Sequence, residues 1–399
     1  MDDFKSWGML RAEELRDYVE QNGVSRVAEY VTSKLDAWKN VVIQFAVCGV
    51  SGAGKSTFIN RIRGLEDFDT DAAEVDVTEC TKEPKCYDHP SNPKIKFWDL
   101  PGITNPFYKG DLEEYCKNVP LDEYDTYLIF AKDRLTADDL KLAERIRSTG
   151  KKFFFIRARI DQDVENAKRS RKHLFDKDAT LNKIRKNISQ NLIEGGLLND
   201  EKEIFLISNH FPTKYQFDEL TQAILAILPQ RQRESLILTI DNALILSKNT
   251  LKEKVKVLKE RIKFVATASA FAATVPIPGV SISADIAMIQ SEINFYISQL
   301  GLSQEGSNRF SLLVSNTQTQ IKALSTVLGS TMQIGGLLTA YATESVVKEF
   351  SRYIPFIGTA IGSSLSFGAT YYLLSKWLGQ MEEIALKALE ETLENVRSH

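Results

Sequence analysis

The feature that most constrains the fold is a series of short apolar runs separated by polar stretches of helical character. The runs are 41–48 (VVIQFAVC), 94–98 (KIKFW), 127–131 (YLIFA), 153–157 (FFFIR) and 204–207 (IFLI). Runs of this length, alternating with helical segments up to about Pro229, predict an α/β fold. The sheet is expected to be mostly parallel, with helices on both faces. The first run ends on Gly49-Val50-Ser51-Gly52-Ala53-Gly54-Lys55-Ser56, a full match to G-x-x-x-x-G-K-[ST], and helix-like FINRIRGL follows. Strand, loop and helix therefore succeed one another as the motif requires.

The residue types explain the chemistry. Glycines let successive backbone N–H groups turn inward and form an anion nest. The following helix adds the positive end of its dipole. Lys55 is expected to reach the β- and γ-phosphates of a nucleotide, and the Ser56 hydroxyl to bind Mg2+.

Asp99-Leu100-Pro101-Gly102 follows the run KIKFW, about 44 residues after Lys55. An aspartate at a strand end is placed to hold Mg2+, and Gly102 can give its N–H to a γ-phosphate oxygen. The polar stretch 66–93 lies between the two motifs. It is the expected place for a loop ordered by the γ-phosphate, with Thr78 and Thr81 as alternative hydroxyl ligands. Base choice is expected after FFFIR, at Ala158-Arg159-Ile160-Asp161. Asp161 can accept both N–H groups of the guanine edge, and Arg159 can lay its stem over the base. Ser208-Asn209, after IFLI, are expected to support the base from the other side.

The flanks read differently. Residues 10–38 carry helical periodicity broken by Gly23, which predicts two short helices. From about 231 the chain reads as helix, with amphipathic stretches at 232–263 and 376–397. Three zones follow: N-terminal helices at 1–38, a nucleotide-binding domain at 39–230 and a helical region at 231–399, with the two helical pieces forming one domain. Two uncharged windows, 264–284 and 353–375, are long enough to raise a membrane span. Pro276, Pro278 and Gly279 interrupt the first; Pro355, Gly358 and Gly362 punctuate the second. Buried hairpins of a helical domain are the expectation, with reversible membrane insertion as the alternative. Small residues at 358, 362 and 366 allow close helix contact.

Composition narrows the class. With 50 basic and 53 acidic residues the net charge is −3, so no global basic field favours a nucleic-acid partner. The four cysteines, Cys48, Cys80, Cys86 and Cys116, show no zinc-binding spacing and read as reduced thiols of a cytoplasmic protein. The N-terminus shows no secretory signal, and Asp2 stands where N-myristoylation needs glycine.

Taken together, FAVCGVSGAGKSTFINRIRG, TECTKEPKCYDHP and KFWDLPG resemble the immunity-related GTPase family. The likeness continues through FFFIRARID and FLISN, then TVPIPGVSISADIAMI and IPFIGTAIGSSLSFGATYYLL. It implies a Ras-like G domain joined to an all-α domain. It also implies a dynamin-like, interferon-inducible GTPase of cell-autonomous defence. Such proteins load onto vacuoles around intracellular pathogens and oligomerise when GTP-bound. By position, Gly49, Ser51, Gly52, Ala53, Gly54, Lys55, Ser56 and Thr57 would bind GTP or GDP. Thr81 falls on the family's switch threonine and Glu79 on its switch glutamate, implicated in catalysis across a dimer of G domains. Asp99 and Gly102 fall on its D-x-P-G, and Asp161 on its guanine-reading aspartate. Ala158 and Arg159 replace the usual threonine and lysine.

Ras-type proteins carry a water-orienting Gln after D-x-x-G; here Ile103 follows and has no polar atom. Slow hydrolysis by monomers is therefore expected; together with the resemblance this implies activation by self-association, and the resemblance alone implies peripheral attachment to intracellular membranes. Two other readings remain: a GTP-regulated adaptor with negligible hydrolysis that recruits autophagy or defence partners, and a P-loop ATPase or small-molecule kinase.

Overall fold

The structure, a computed structural model, describes residues 14–15, 17–23, 26–75, 83–102, 111–132, 136–194, 196–198, 203–240, 247–272, 280–302, 313–328 and 361–398. Cα packing divides the chain into two units. One is Trp38–Leu246; the other joins Met1–Ala37 to Ser247–His399.

In chain order the first unit follows α1 (Val27–Leu35) and begins with β1 (Ile43–Gly49) and α2 (Lys55–Ile62). Next come β2 (Lys85–His89), β3 (Asn92–Asp99), α3 (Leu112–Asn118), β4 (Thr126–Ala131) and α4 (Ala137–Ser148). Then follow β5 (Lys152–Arg157), α5 (Ile160–Arg171), α6 (Lys177–Glu194), β6 (Ile204–Leu206), α7 (Phe217–Ile227) and α8 (Gln230–Thr239). The strand order is β2-β3-β1-β4-β5-β6. β2 is antiparallel to β3, and the other pairings are parallel. The chain thus steps from β1 to one side and then the other. The carboxyl ends of β1, β3, β4 and β5 share one edge, where ligands bind in such sheets.

Side-chain alternation explains the two layers of helix. Phe45, Phe97 and Leu128 point to one face, against Phe58 and Ile62 of α2, Ile224 of α7 and Leu236 of α8. Phe58 meets Phe130 at 5.2 Å and Phe217 at 5.7 Å between ring centroids. Ala46, Cys48, Tyr127, Ile129 and Phe155 point to the other face. There they pack on Tyr115 of α3, on Leu142 and Ile146 of α4, and on Ile188 and Leu192 of α6.

Two expectations are corrected here. The stretch 66–93 is not loop throughout: β2 lies within it, as a half-exposed edge strand. An edge strand needs no continuous apolar run, which is why it left no hydrophobic signal. The helical region does not begin at 231. In α8, Leu236, Ile237 and Leu238 are buried, and the Asn92 amide donates to Ser235 Oγ and Thr239 Oγ1, both at 3.3 Å. This helix is part of the sheet unit, whose boundary falls after Leu246.

The other unit packs α1 with α9 (Lys248–Ala272), α10 (Val280–Gln299), α11 (Ser315–Leu328) and α12 (Ile361–Ser398). α9 and α12 share the most extensive helix contact among the described residues. Both apolar windows supply buried surface to it: Ala266 and Ala270 from the first cluster with Phe367 from the second, and Tyr371 packs against them. Ser269 Oγ hydrogen-bonds Ser366 Oγ at 2.7 Å and Thr370 Oγ1 at 3.0 Å, so small hydroxyl residues line the close approach. Residues 361–375 of the second window and the 376–397 stretch belong to one 38-residue helix. The breaks at 273–279 and 353–360 lie outside the described residues. Among the described residues, no helix is long and apolar enough to cross a membrane.

Candidate nucleotide site

The site grows from the end of β1. Gly49 pairs with Phe130 of β4, and a Cβ on it would lie 2.1 Å from the Phe130 carbonyl oxygen. Its φ is +126°, so only glycine fits there. Gly52 and Gly54 also take positive φ, +74° and +92°, which curls the loop into a nest ahead of α2. Buried Lys55 donates from Nζ to the carbonyls of Gly49 at 3.1 Å and Val50 at 3.3 Å. Its charge is thereby held at the mouth of the loop.

β3 delivers Asp99, buried at the strand's last position. Ser56 Oγ donates to Asp99 Oδ2 at 3.3 Å. A hydroxyl beside a carboxylate is an oxygen donor pair suited to a hard cation such as Mg2+. Leu100, Pro101 and Gly102 follow in buried backbone: Leu100 N–H donates to Val47 O at 2.9 Å, and Tyr115 Oη donates to Pro101 O at 3.1 Å.

β5 leads to Ala158, which is buried, and Arg159, which is exposed. Arg159 adopts φ 60°, ψ 28°, a left-handed conformation costly for a non-glycine residue, at the start of α5. Asp161 lies in the first turn of that helix. Asp161 Oδ1 and Asn209 Oδ1 are buried acceptors with no hydrogen-bond donor among the described residues. Leaving such an atom unsatisfied costs about 1–3 kcal/mol, which a ligand N–H would recover. The Asn209 amide donates to Gly54 O at 3.0 Å, Arg61 Nε donates to Asn209 O at 3.0 Å, and Ser208 Oγ accepts from Phe211 N at 3.0 Å. A Cβ on Gly54 would lie 3.3 Å from Ala158 Cβ and 3.4 Å from Asn209 Nδ2. Residues 54, 158 and 209, far apart in sequence, therefore converge. Of the remaining predicted residues, Ser51 is exposed, Ala53 is buried, and Thr57 is half-buried in α2. Thr78, Glu79, Thr81 and Ile103 lie outside the described residues.

Three side chains at this edge were not anticipated. Lys132, just past β4, brings Nζ within 3.6 Å of the Cβ position at Gly52. Asp139 is buried in a capping box with Thr136 at the start of α4, and burial pushes its carboxyl up from the ordinary value while Lys55 and Thr136 oppose that. The T-x-x-D spacing signals such a cap, but nothing in the sequence aims it at Lys55. Arg61 is the third, through its bond to Asn209 O.

A glycine nest closing β1, an acid at the end of β3 and the unpartnered buried acceptors Asp161 Oδ1 and Asn209 Oδ1 define a P-loop nucleotide-binding protein of the G-domain type. A sequence model of the interferon-inducible GTPase (IIGP) family matches residues 10–372. Interferon-inducible GTPase 5 of Bos taurus is 30% identical over 389 residues, 95% of this chain and 82% of that protein. Interferon-gamma-inducible GTPase 10 of Mus musculus is 27% identical over 386 residues, 94% of this chain and 88% of that protein. Among solved structures, the LeoA bacterial dynamin GTPase from ETEC aligns with 100% of this chain and 96% of its own at 13% identity and TM-score 0.36. The chain belongs to the interferon-inducible GTPase family.

Proposed function

We propose that the chain binds GTP with Mg2+ at this edge, hydrolyses it, and self-associates in the GTP state. We place it at intracellular membranes, attached peripherally, in cell-autonomous defence. The observation that carries the guanine assignment is the pair of buried acceptors, Asp161 Oδ1 and Asn209 Oδ1, beside the Gly54 turn. A purine whose edge offers N–H donors satisfies an acceptor there; adenine presents an acceptor at the corresponding ring nitrogen.

In this reading, inward N–H groups of 49–54 and the Lys55 ammonium hold the β- and γ-phosphates. They stabilise charge as water attacks the γ-phosphorus and the β–γ bond breaks. Ser56 and Asp99 would hold Mg2+, which supplies charge neutralisation on the phosphates. Gly102 N–H faces the γ-phosphate, and Glu79 and Thr81 act from the 76–82 segment. Ile103 offers no group to orient the water, which favours activation by a second copy. Family membership supports the defence role. Competition of GTP and ATP for a fluorescent guanine nucleotide tests the base assignment. GTP should displace the probe at least tenfold more effectively; equal displacement by ATP would overturn it.

A further inference from the structure

Two surface segments of the 38–246 unit are chemically opposite. The stretch 66–74 (EDFDTDAAE) holds five carboxylates and no base. The stretch 168–174 (KRSRKHL) holds four fixed cations and no acid. Each carries one projecting apolar side chain. Phe68 and Leu174, both 86% exposed, are the most exposed large hydrophobic residues among those described.

The acidic segment is a braced loop. The buried Asn60 side-chain amide donates to Asp67 Oδ1 at 2.8 Å and Ala73 O at 2.9 Å, and its Oδ1 accepts from Ala73 N at 2.6 Å. Arg63 Nη1 donates to Asp71 O at 2.9 Å, and Asp69 Oδ2 accepts from Glu66 N at 2.8 Å. Phe68 is thus presented by a framework fixed to α2, so docking it forfeits little conformational entropy. The basic segment is the last turn of α5 and the short 3-10 turn after it, with Leu174 at its tip. An apolar anchor ringed by charge matches the core-and-rim anatomy of protein interfaces. Here the charge that complements each ring is present on the same chain.

We propose that copies of this chain dock through these segments, the 66–74 loop of one against the 168–174 turn of the next. The proposal rests on the self-association reading above and names its surface. Each contact leaves one loop and one turn unused, so copies extend head to tail unless two-fold pairing closes both contacts at once.

Sedimentation velocity in a non-hydrolysable GTP analogue tests it, with two charge-reversed chains. One carries Asp71→Lys and Glu74→Lys; the other carries Lys168→Glu and Arg171→Glu. Wild-type chain should associate, and less so as salt rises. Each reversed chain alone should associate at least tenfold more weakly, as should Phe68→Ser. The two reversed chains mixed should associate again, which misfolding cannot imitate. Nucleotide affinity of all variants should equal wild type, keeping this test separate from that of the nucleotide site. A wild-type chain that stays monomeric overturns the self-association reading and this surface together. Assembly of the reversed chains at wild-type strength, or a mixture without rescue, overturns the surface alone.

Discussion

Gly49→Ala is the sharpest structural test of the nest. The new methyl would sit 2.1 Å from Phe130 O, where ordinary contact begins near 3.4 Å, so the carbonyl must retreat by more than an ångström. β4 is paired on both sides, to β1 and β5, so that retreat strains two ladders. Forcing a side chain into positive φ costs roughly 1–2 kcal/mol, and overpacking adds roughly 1–3 kcal/mol. The midpoint of the sum, about 3.5 kcal/mol, corresponds to roughly 7–14 °C in Tm for a unit of this size. Gly52→Ala meets only the tip of Lys132 at 3.6 Å and incurs the φ term alone, which is roughly 2–8 °C. Gly54→Ala falls between, with contacts at 3.3 and 3.4 Å. Thermal melts of the three nucleotide-free variants should rank 49, 54, 52 in decreasing loss. Equal losses, or Gly52→Ala the worst, would refute the reasoning.

Other expectations follow from the same geometry. Asp161→Ala should weaken GTP and GDP equally, by ten- to a hundredfold, the value of about 1.5–3 kcal/mol for a hydrogen bond to a charged group; titration with both nucleotides checks it. Arg261→Gln should destabilise the helical unit by about 3–5 kcal/mol, because it strands Glu292 in the core. Arg261 donates to both Glu292 oxygens there, at 3.0 and 2.6 Å, and urea unfolding reads the loss. Replacing both partners with methionine should recover most of it. Cys48 is fully buried and its thiol is raised by burial, so iodoacetamide at pH 8 should modify it only after unfolding. Cys86 is half-buried and pushed up to about 11, so its native labelling should stay slow at pH 8 and climb toward pH 11.

The local parts of the site were legible in sequence because each is one short motif on one strand end. Gly49–Ser56, Asp99 and Asp161 all sit where strand periodicity placed them. What sequence could not show is convergence. Nothing in the residues says that Asn209 would bond the Gly54 carbonyl, or that Arg61 would hold Asn209 in turn. Those contacts span 155 and 148 residues and exist only once β1, β4, β5 and β6 are laid side by side. The left-handed Arg159 was equally invisible, since its conformation is imposed by the turn from β5 into α5.

The fold was legible where burial is two-sided and obscure where it is not. Five apolar runs form the five parallel-paired strands, whereas β2, polar and one-sided, carries no apolar run to mark it as strand. α8 was assigned to the wrong unit because a helical pattern does not say which surface it covers. Its Leu236 faces Phe45 and Phe97 of the sheet. Gly362 marks the second window as interrupted in sequence, yet α12 runs through it and through Gly368. Helix packing against α9 outweighs their weak propensity.

The central claim is tested most directly by GTP turnover of the purified chain across a hundred-fold range of protein concentration, with Lys55→Ala beside it. Turnover per molecule should climb with concentration and vanish in Lys55→Ala. Turnover that stays flat, or near zero with GTP bound, would contradict activation by self-association and leave a nucleotide-regulated adaptor in its place.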